Sequence, residues 1–210
     1  MSTLVFPKGS NVSFHVHTVL YDGVEEQDFT GTVAAFGVLD DVQVSYVSAE
    51  GPGAVTTASG AEIVVRAPWS PDSADLILVP GGGYGAGSPV DDQIRLGTLP
   101  KALAQAQRPG LVLASVCTGS LLLSAAGLTA GRPCTTHHVA KDDLAAQGAR
   151  VVGGRVVDDG DLVTAGGVTS GLDLGVWLVE RFHGPEAALL VEKVLEYERR
   201  GTVWRSTKAA

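Results

Sequence analysis

The sequence has little cysteine: Cys117 and Cys134 are the two among 210 residues. Two cysteines are too few for the disulfide scaffold of a small secreted protein. Residues 1–8 show no charged segment followed by an apolar one, so no secretory signal is expected. We therefore predict a cytoplasmic protein in a reducing environment.

Long apolar runs and an excess of positive charge are also lacking. No stretch reaches the length of about 18 apolar residues that a membrane-spanning helix requires. The net charge of −8 argues against nucleic acid or a membrane surface as the main partner. An apolar content of 45% is ordinary for a globular protein. We predict one domain over residues 1–210, with a core from about 12 to 200, short flexible ends and a small-molecule partner.

Apolar strands alternate with helical segments along the chain. Strands are predicted at 12–20, 42–47, 76–79, 111–116, 150–157 and 162–164, with a hairpin or two short strands within 52–66. Helices are predicted at 25–39, 91–107, 121–126, 139–147, 170–182 and 185–200. This order predicts an α/β fold with a doubly wound, mostly parallel sheet sandwiched by helices. His15 and His17 share one face of the first strand, which we expect to be exposed.

Residues 111–127 predict a strand that turns directly into a helix. The start of this stretch is almost entirely apolar, as in a buried parallel strand, and Gly127 is a plausible end for the helix that follows. Cys117 lies between the two elements with no room for a loop. This pattern predicts a nucleophile elbow with cysteine in the place of serine. The N–H groups at the start of the helix would point at the thiol and lower its pKa.

Three polar or glycine-rich clusters follow predicted strands: 81–83, 117–119 and 166–169. Ligands of open parallel sheets bind beyond the carboxyl ends of the strands, where these clusters would meet. This convergence makes Cys117 a candidate nucleophile, with the backbone N–H groups of Thr118 and Gly82 as donors to a substrate adduct. Residues 81–87 match GxGxxG only loosely, and no acidic residue follows in the right context, so NAD binding is not predicted.

A cysteine nucleophile needs a neighbour that exchanges protons with it. The candidates, in order, are Asp28, His137, His138 and Asp173. By itself, Asp28 is typical of a solvated acid in the first turn of a helix, and His137 of a hydrogen-bonded structural histidine. The adjacent His137 and His138 would face apart, so no metal site is predicted. Cys134 is expected to be structural.

Five motifs carry a resemblance to a known family. They are residues 28–31 (Asp-Phe-Thr-Gly), 78–82 (Leu-Val-Pro-Gly-Gly), 115–120 (Ser-Val-Cys-Thr-Gly-Ser), 135–137 (Thr-Thr-His) and 165–173 (Ala-Gly-Gly-Val-Thr-Ser-Gly-Leu-Asp). Together they resemble the ThiJ/PfpI superfamily of glutamine-amidotransferase-like proteins, over about residues 13–184. The resemblance implies a flavodoxin-like fold. The pairing of Asp-x-Thr-Gly with Cys-Thr-Gly is most similar to the isonitrile hydratase branch.

The resemblance also implies roles for individual residues. Cys117 would be the nucleophile, and Asp28 the acidic partner near its sulfur. The oxyanion and substrate-binding positions would be Gly81, Gly82, Thr118 and Thr30, with His137 as an accessory group. No cofactor is implied, and a homodimer is expected because the family is commonly dimeric. Residues 166–171 stand where glutamine amidotransferases carry a histidine and a glutamate, so a Cys-His-Glu triad is not expected.

Three functions from different classes are compatible with these residues. In the first, Cys117 attacks an isocyanide and the resulting thioimidate is hydrolysed to an N-substituted formamide. In the second, the thiol adds to methylglyoxal or a related carbonyl adduct, and His137 or Asp28 moves a proton on the way to lactate. In the third, the protein is a redox or stress-response protein that senses oxidation of Cys117 to a sulfinate stabilised by Asp28.

Overall fold

A seven-stranded sheet forms the centre of the computed structural model, which describes residues 13–207. The strands of the described chain are β1 (Phe14–Val19), β2 (Val42–Val47), β3 (Gly53–Thr56), β4 (Glu62–Val65), β5 (Leu76–Val79), β6 (Val112–Val116), β7 (Pro133–Cys134), β8 (Arg150–Val151), β9 (Val156–Asp158), β10 (Leu162–Ala165) and β11 (Trp204–Arg205). The α-helices are α1 (Glu26–Phe36), α2 (Pro89–Leu96), α3 (Thr98–Ala106), α4 (Gly119–Ala125), α5 (Lys141–Ala146), α6 (Ser170–His183) and α7 (Pro185–Leu195). Short 3-10 turns lie at Pro71–Ser73 and His138–Ala140.

The strand order of the main sheet is β11-β9-β10-β6-β5-β1-β2. The five strands from β10 to β2 are parallel, whereas β9 is antiparallel to β10 and pairs in parallel with β11. The helices form two packing groups: α1, α6 and α7 contact one another, and α2, α3 and α5 contact α4. This architecture confirms the predicted α/β fold with a doubly wound, mostly parallel sheet.

The central strands explain why the apolar runs of the sequence do not alternate with polar residues. Every residue of β5, β6 and β10 is buried, since helices cover these strands on both sides. All three strands are parallel, so their carboxyl ends meet at one edge of the sheet. The segments that follow them therefore come together there, as the clusters in the sequence predict.

Several predicted elements have different boundaries in the structure. The helix predicted at 91–107 is divided into α2 and α3 by Gly97, whose φ of 76° lies outside the helical region. The strand predicted at 150–157 is two strands, because β8 pairs with β7 in a separate sheet. The last helix ends before Glu196, which has a left-handed φ of 48°. The flexible end predicted before residue 12 lies outside the described residues.

The expectation of an exposed first strand is wrong. β1 lies inside the sheet, between β2 and β5. His17 is therefore only 5% exposed, and burial lowers its pKa.

Within residues 13–207, no helix combines the length and the apolar character needed to cross a membrane.

Gly119 allows α4 to begin directly against the end of β5. A Cβ atom at this position would lie 2.1 Å from the carbonyl oxygen of Val79 and 2.9 Å from that of Pro80. Both obstacles are backbone atoms, so relief requires moving the strand or the helix. The glycine of the Cys-Thr-Gly motif therefore has a packing role that holds the elbow close to the sheet.

Replacing this glycine tests its packing role. We expect Gly119→Ala to lower the free energy of unfolding by about 2–3 kcal/mol, since overpacking against backbone forces the elements apart. Gly153→Ala is the matched control, because a Cβ there meets open space. Urea unfolding followed by circular dichroism measures both variants. Equal stability of the two would contradict the packing role.

Candidate active site

The turn after β6 places Cys117 at the carboxyl edge of the sheet. Its φ of 57° is a left-handed conformation that non-glycine residues rarely adopt. The N–H of Cys117 donates to the carbonyl oxygens of Ala165 at 3.2 Å and Gly166 at 2.8 Å. The Cys117 carbonyl accepts a hydrogen bond from Thr136 Oγ1 at 2.9 Å. These bonds hold the strained residue in place, and the predicted turn from strand directly into helix at Cys117 is confirmed.

Asp28 lies in the first turn of α1 and is fully buried. Its Oδ2 accepts the N–H of Gly81 at 3.0 Å, and the N–H of Glu25 donates to the Gly81 carbonyl at 2.9 Å. The N–H and the carbonyl of Gly81 thus both bond the loop after β5 to the start of α1. The local sequence pattern predicts a solvated surface position for Asp28. The structure places it beside the elbow instead.

The environment of Asp28 holds its proton unusually tightly. Burial raises the pKa of this carboxyl from 3.8 to about 7. The backbone N–H groups of Gly81 and Val168 and the neighbouring Cys117 thiol act in the opposite direction, because they stabilise the carboxylate. Asp28 therefore changes charge near neutral pH, which suits a general base that later returns its proton.

The thiol of Cys117 is also held in its protonated form. Burial, followed by the negative charge of Asp28, raises the pKa of Cys117 to about 12, although the N–H groups of Thr118 and Val168 oppose the rise. The residue is only 8% exposed. The expectation of a thiol with a lowered pKa is therefore wrong for this site. At neutral pH the sulfur keeps its proton, and the carboxyl beside it is the group that can accept it.

The loop after β5 and the start of α4 interlock around this pair. The N–H of Gly82 donates to Thr118 Oγ1 at 3.3 Å, and the Thr118 hydroxyl donates to the carbonyl of Gly83 at 2.8 Å. A Cβ atom on Gly81 would lie 2.5 Å from Thr118 Oγ1 and 2.8 Å from Asp28 Oδ2, so only glycine fits. The structure thus brings together Asp28, Gly81, Gly82, Cys117 and Thr118, as the sequence predicts.

Val168 is a site residue that the sequence analysis did not single out. Its backbone N–H acts on both Asp28 and Cys117. Its φ of 41° is a rare conformation for a β-branched residue, and it aims this N–H into the site. The glycine cluster around it indicated the location, but no sequence signal marks a valine in a left-handed conformation.

The two remaining predicted residues occupy different positions. Thr30 is exposed and lies two residues after Asp28, about 200° around α1, so the structure does not bring it to the pair. His137 is half-buried, and its ring packs against Gly167, where a Cβ atom would lie 2.2 Å from His137 Cδ2. Burial and the neighbouring His138 lower the pKa of His137, so its ring is neutral at pH 7.

Asp173, the last candidate for proton exchange, and Cys134, which is expected to be structural, lie apart from the pair. Asp173 is fully buried, and its carboxylate accepts hydrogen bonds from Arg155 Nε at 2.7 Å and from the Tyr197 hydroxyl at 2.9 Å. Asp173 therefore bonds α6 to neighbouring segments and is not the proton partner of Cys117. Cys134 is fully buried in β7, and burial raises its pKa to about 12, which fits a structural residue. Among residues 13–207, no group of three or more histidine, cysteine or acidic side chains could hold a metal ion.

The reactivity of Cys117 tests its coupling to Asp28. Because the charge of Asp28 raises the thiol pKa, Asp28→Asn should increase the thiolate fraction and speed alkylation by iodoacetamide at pH 8. Mass spectrometry of the peptide that contains Cys117 measures the rate. The exposed acid Asp142 provides a control, since Asp142→Asn should leave the rate unchanged. A rate in Asp28→Asn equal to or below that of the parent protein would exclude this coupling.

The stability of the protein should depend on the same carboxyl. The folded state binds the Asp28 proton more tightly than the unfolded chain, so its contribution to stability is lost as the pH rises from about 4 to about 7. We expect Asp28→Asn to remove this decline and to be about 2 kcal/mol more stable than the parent at pH 8. Urea unfolding at pH 5 and pH 8 measures the effect. A variant that is less stable at pH 8 than at pH 5, like its parent, would disprove the assignment.

Comparisons with known proteins place this geometry in a family. The model of the DJ-1/PfpI family matches residues 15–181. An isonitrile hydratase of Pseudomonas putida is 36% identical over 89% of this chain and 79% of its own. A deglycase of Pyrococcus horikoshii is 27% identical over 64% of this chain and 78% of its own. The crystal structure of a ThiJ/PfpI family protein from Pseudomonas syringae aligns with a TM-score of 0.82 at 27% identity, covering 96% of this chain and 83% of that protein. The chain therefore belongs to the DJ-1/PfpI family.

Proposed function

We propose that the protein hydrates isocyanides to N-substituted formamides, with Cys117 as the nucleophile and Asp28 as the proton carrier. The observation that carries the proposal is the buried pair itself, a protonated thiol beside a carboxyl whose pKa is raised to about 7. An isocyanide carbon must receive both a nucleophile and a proton, and this pair can deliver both. The similarity to the Pseudomonas putida isonitrile hydratase supports the same reaction class.

The reaction follows from the positions of the two groups. The Asp28 carboxylate takes the thiol proton as the sulfur attacks the terminal carbon, and then gives the proton to that carbon, which leaves a thioimidate on Cys117. Water adds to the thioimidate carbon, and its two protons pass to the substrate nitrogen and, through Asp28, to the departing sulfur. Collapse of the adduct releases the formamide and the free thiol. The N–H of Thr118 would stabilise the oxygen of this adduct, whereas that of Gly82 already donates to Thr118 Oγ1.

Formamide formation from several aryl and alkyl isocyanides tests the proposal. We expect turnover by the parent protein, and a loss of about 10³-fold or more in Cys117→Ser and about 10²-fold or more in Asp28→Asn. The kcat/KM should rise with pH through about 7 as Asp28 ionises. Cys134→Ala is the control, because this second cysteine lies outside the site. Absence of formamide with Cys117 shown to be reduced would refute the proposal.

A second candidate is the conversion of methylglyoxal to lactate. The half-buried His137 favours it, since a neutral imidazole beside the site could move a proton between the carbons of a hemithioacetal. Lactate formation from methylglyoxal, with His137→Ala impairing it far more than isocyanide hydration, would favour this candidate.

The raised pKa of Cys117 argues against the third function, a redox sensor, because oxidation by peroxide requires the thiolate. The expected homodimer stays a prediction, which light scattering can test.

A further inference from the structure

A cavity of about 300 Å³ lies beside the elbow and extends the site away from Cys117. Its walls are the segment after β7, the start of α5 and the loop after β10. Three lining residues also act on Cys117: Thr136 donates to its carbonyl, Gly166 accepts its N–H, and the N–H of Val168 lowers its pKa. The Val168 contact is the one that reaches the thiol, so a substrate attached at the sulfur would enter this cavity by passing Val168.

The lining of the cavity is rich in hydrogen-bond donors. Lys141 and Arg155 are its charged residues, the Ser170 hydroxyl and the His138 ring also line it, and it contains no carboxylate. Donors of this kind are unexpected in a chain with a net charge of −8. The charge of Arg155 is already engaged, because its guanidinium pairs with Asp173 at 2.7 Å. The uncompensated charge is therefore that of Lys141.

Lys141 has no salt bridge to any residue within 13–207. It begins α5, so Leu144 and Ala145 occupy the positions three and four residues on, where a helical ion pair would form. Asp142 and Asp143 follow directly and point elsewhere around the helix. Asp143 also accepts a hydrogen bond from the hydroxyl of Tyr84 at 2.8 Å. The helix dipole disfavours a cation in the first turn, so α5 itself gives Lys141 no favourable partner.

We propose that this cavity binds a carboxylate on the substrate, with Lys141 as its charge partner. The preferred substrates would then be α-isocyano acids. This inference rests on the proposed hydration reaction and names its substrate class. The isocyanide carbon would contact the Cys117 sulfur, while the carboxylate would lie in the cavity and accept hydrogen bonds from the Lys141 ammonium and the Ser170 hydroxyl.

A pair of isocyanides that differ in charge tests the inference by activity. The ratio of kcat/KM for isocyanoacetate to that for neutral isocyanoacetamide should fall about tenfold in Lys141→Met and in Lys141→Gln. The fraction of folded enzyme cancels in this ratio, and comparing the ratio between variants cancels the difference in reactivity of the two isocyanides. Lys101→Met is the matched control, since Lys101 is exposed on α3 and lies outside the cavity. An unchanged ratio in both Lys141 variants would overturn the inference.

Binding of the formamide products tests it without turnover. We expect calorimetry to show that N-formylglycine binds about tenfold more tightly than N-formylglycinamide, and that Lys141→Met abolishes the difference. Equal binding of the two by the parent protein overturns the carboxylate site, even if isocyanoacetamide is hydrated and the proposed function stands. A preference that depends on Lys141, with both isocyanides inert, supports the carboxylate site and refutes the proposed hydration.

Discussion

The buried pair of Asp28 and Cys117 is the interaction on which the site depends. Burial disfavours the charged form of each group, and a charge on one disfavours a charge on the other. The two groups therefore titrate as a pair, which holds two protons below about pH 7 and one proton above it. A pair of this kind provides a nucleophile that becomes reactive only as its proton moves to the carboxyl. This explains how a thiol with a raised pKa can still be the nucleophile.

The fold maintains this pair at a cost in backbone strain and packing freedom. Cys117 and Val168 both have left-handed backbones, and hydrogen bonds from neighbouring strand ends hold Cys117 in this conformation. Gly81 and Gly119 have no side chain because the Asp28 carboxyl, the Thr118 hydroxyl and the end of β5 approach them too closely. The buried parallel strands supply the rigid frame. Their common edge is the one place where α1, the loop after β5 and the elbow can meet.

Much of this arrangement can be predicted from the sequence because it follows from strand order. Continuous apolar runs indicate buried parallel strands, and a cysteine directly after such a run indicates the elbow. The burial of Asp28 could not be predicted from local pattern, since its depth depends on the packing of α1 against α6. The family motif supplied it instead. The helix N-terminus by itself predicts a lowered pKa for Cys117, but burial and the Asp28 charge outweigh it and raise the pKa.

Other features depend on backbone conformation that residue types do not determine. The break at Gly97 and the left-handed Val168 illustrate this: glycine permits a turn without requiring one, and valine disfavours the conformation that it adopts. Thr30 follows the same motif as Asp28, yet the period of the helix carries it to the exposed side. A motif in a linear sequence identifies which segment reaches a site. The geometry of the helix decides which of its side chains do.

The raised pKa of Asp28 is the central claim, and a titration tests it most directly. Carbon-13 NMR of aspartate-labelled protein, with the Asp28 signal assigned by its absence in Asp28→Asn, follows the ionisation of this carboxyl. The account predicts a midpoint at about pH 7. A midpoint near the ordinary value of 3.8 would show that the carboxyl is ionised throughout the neutral range and would contradict the raised pKa of Asp28 and the pH dependence that follows from it.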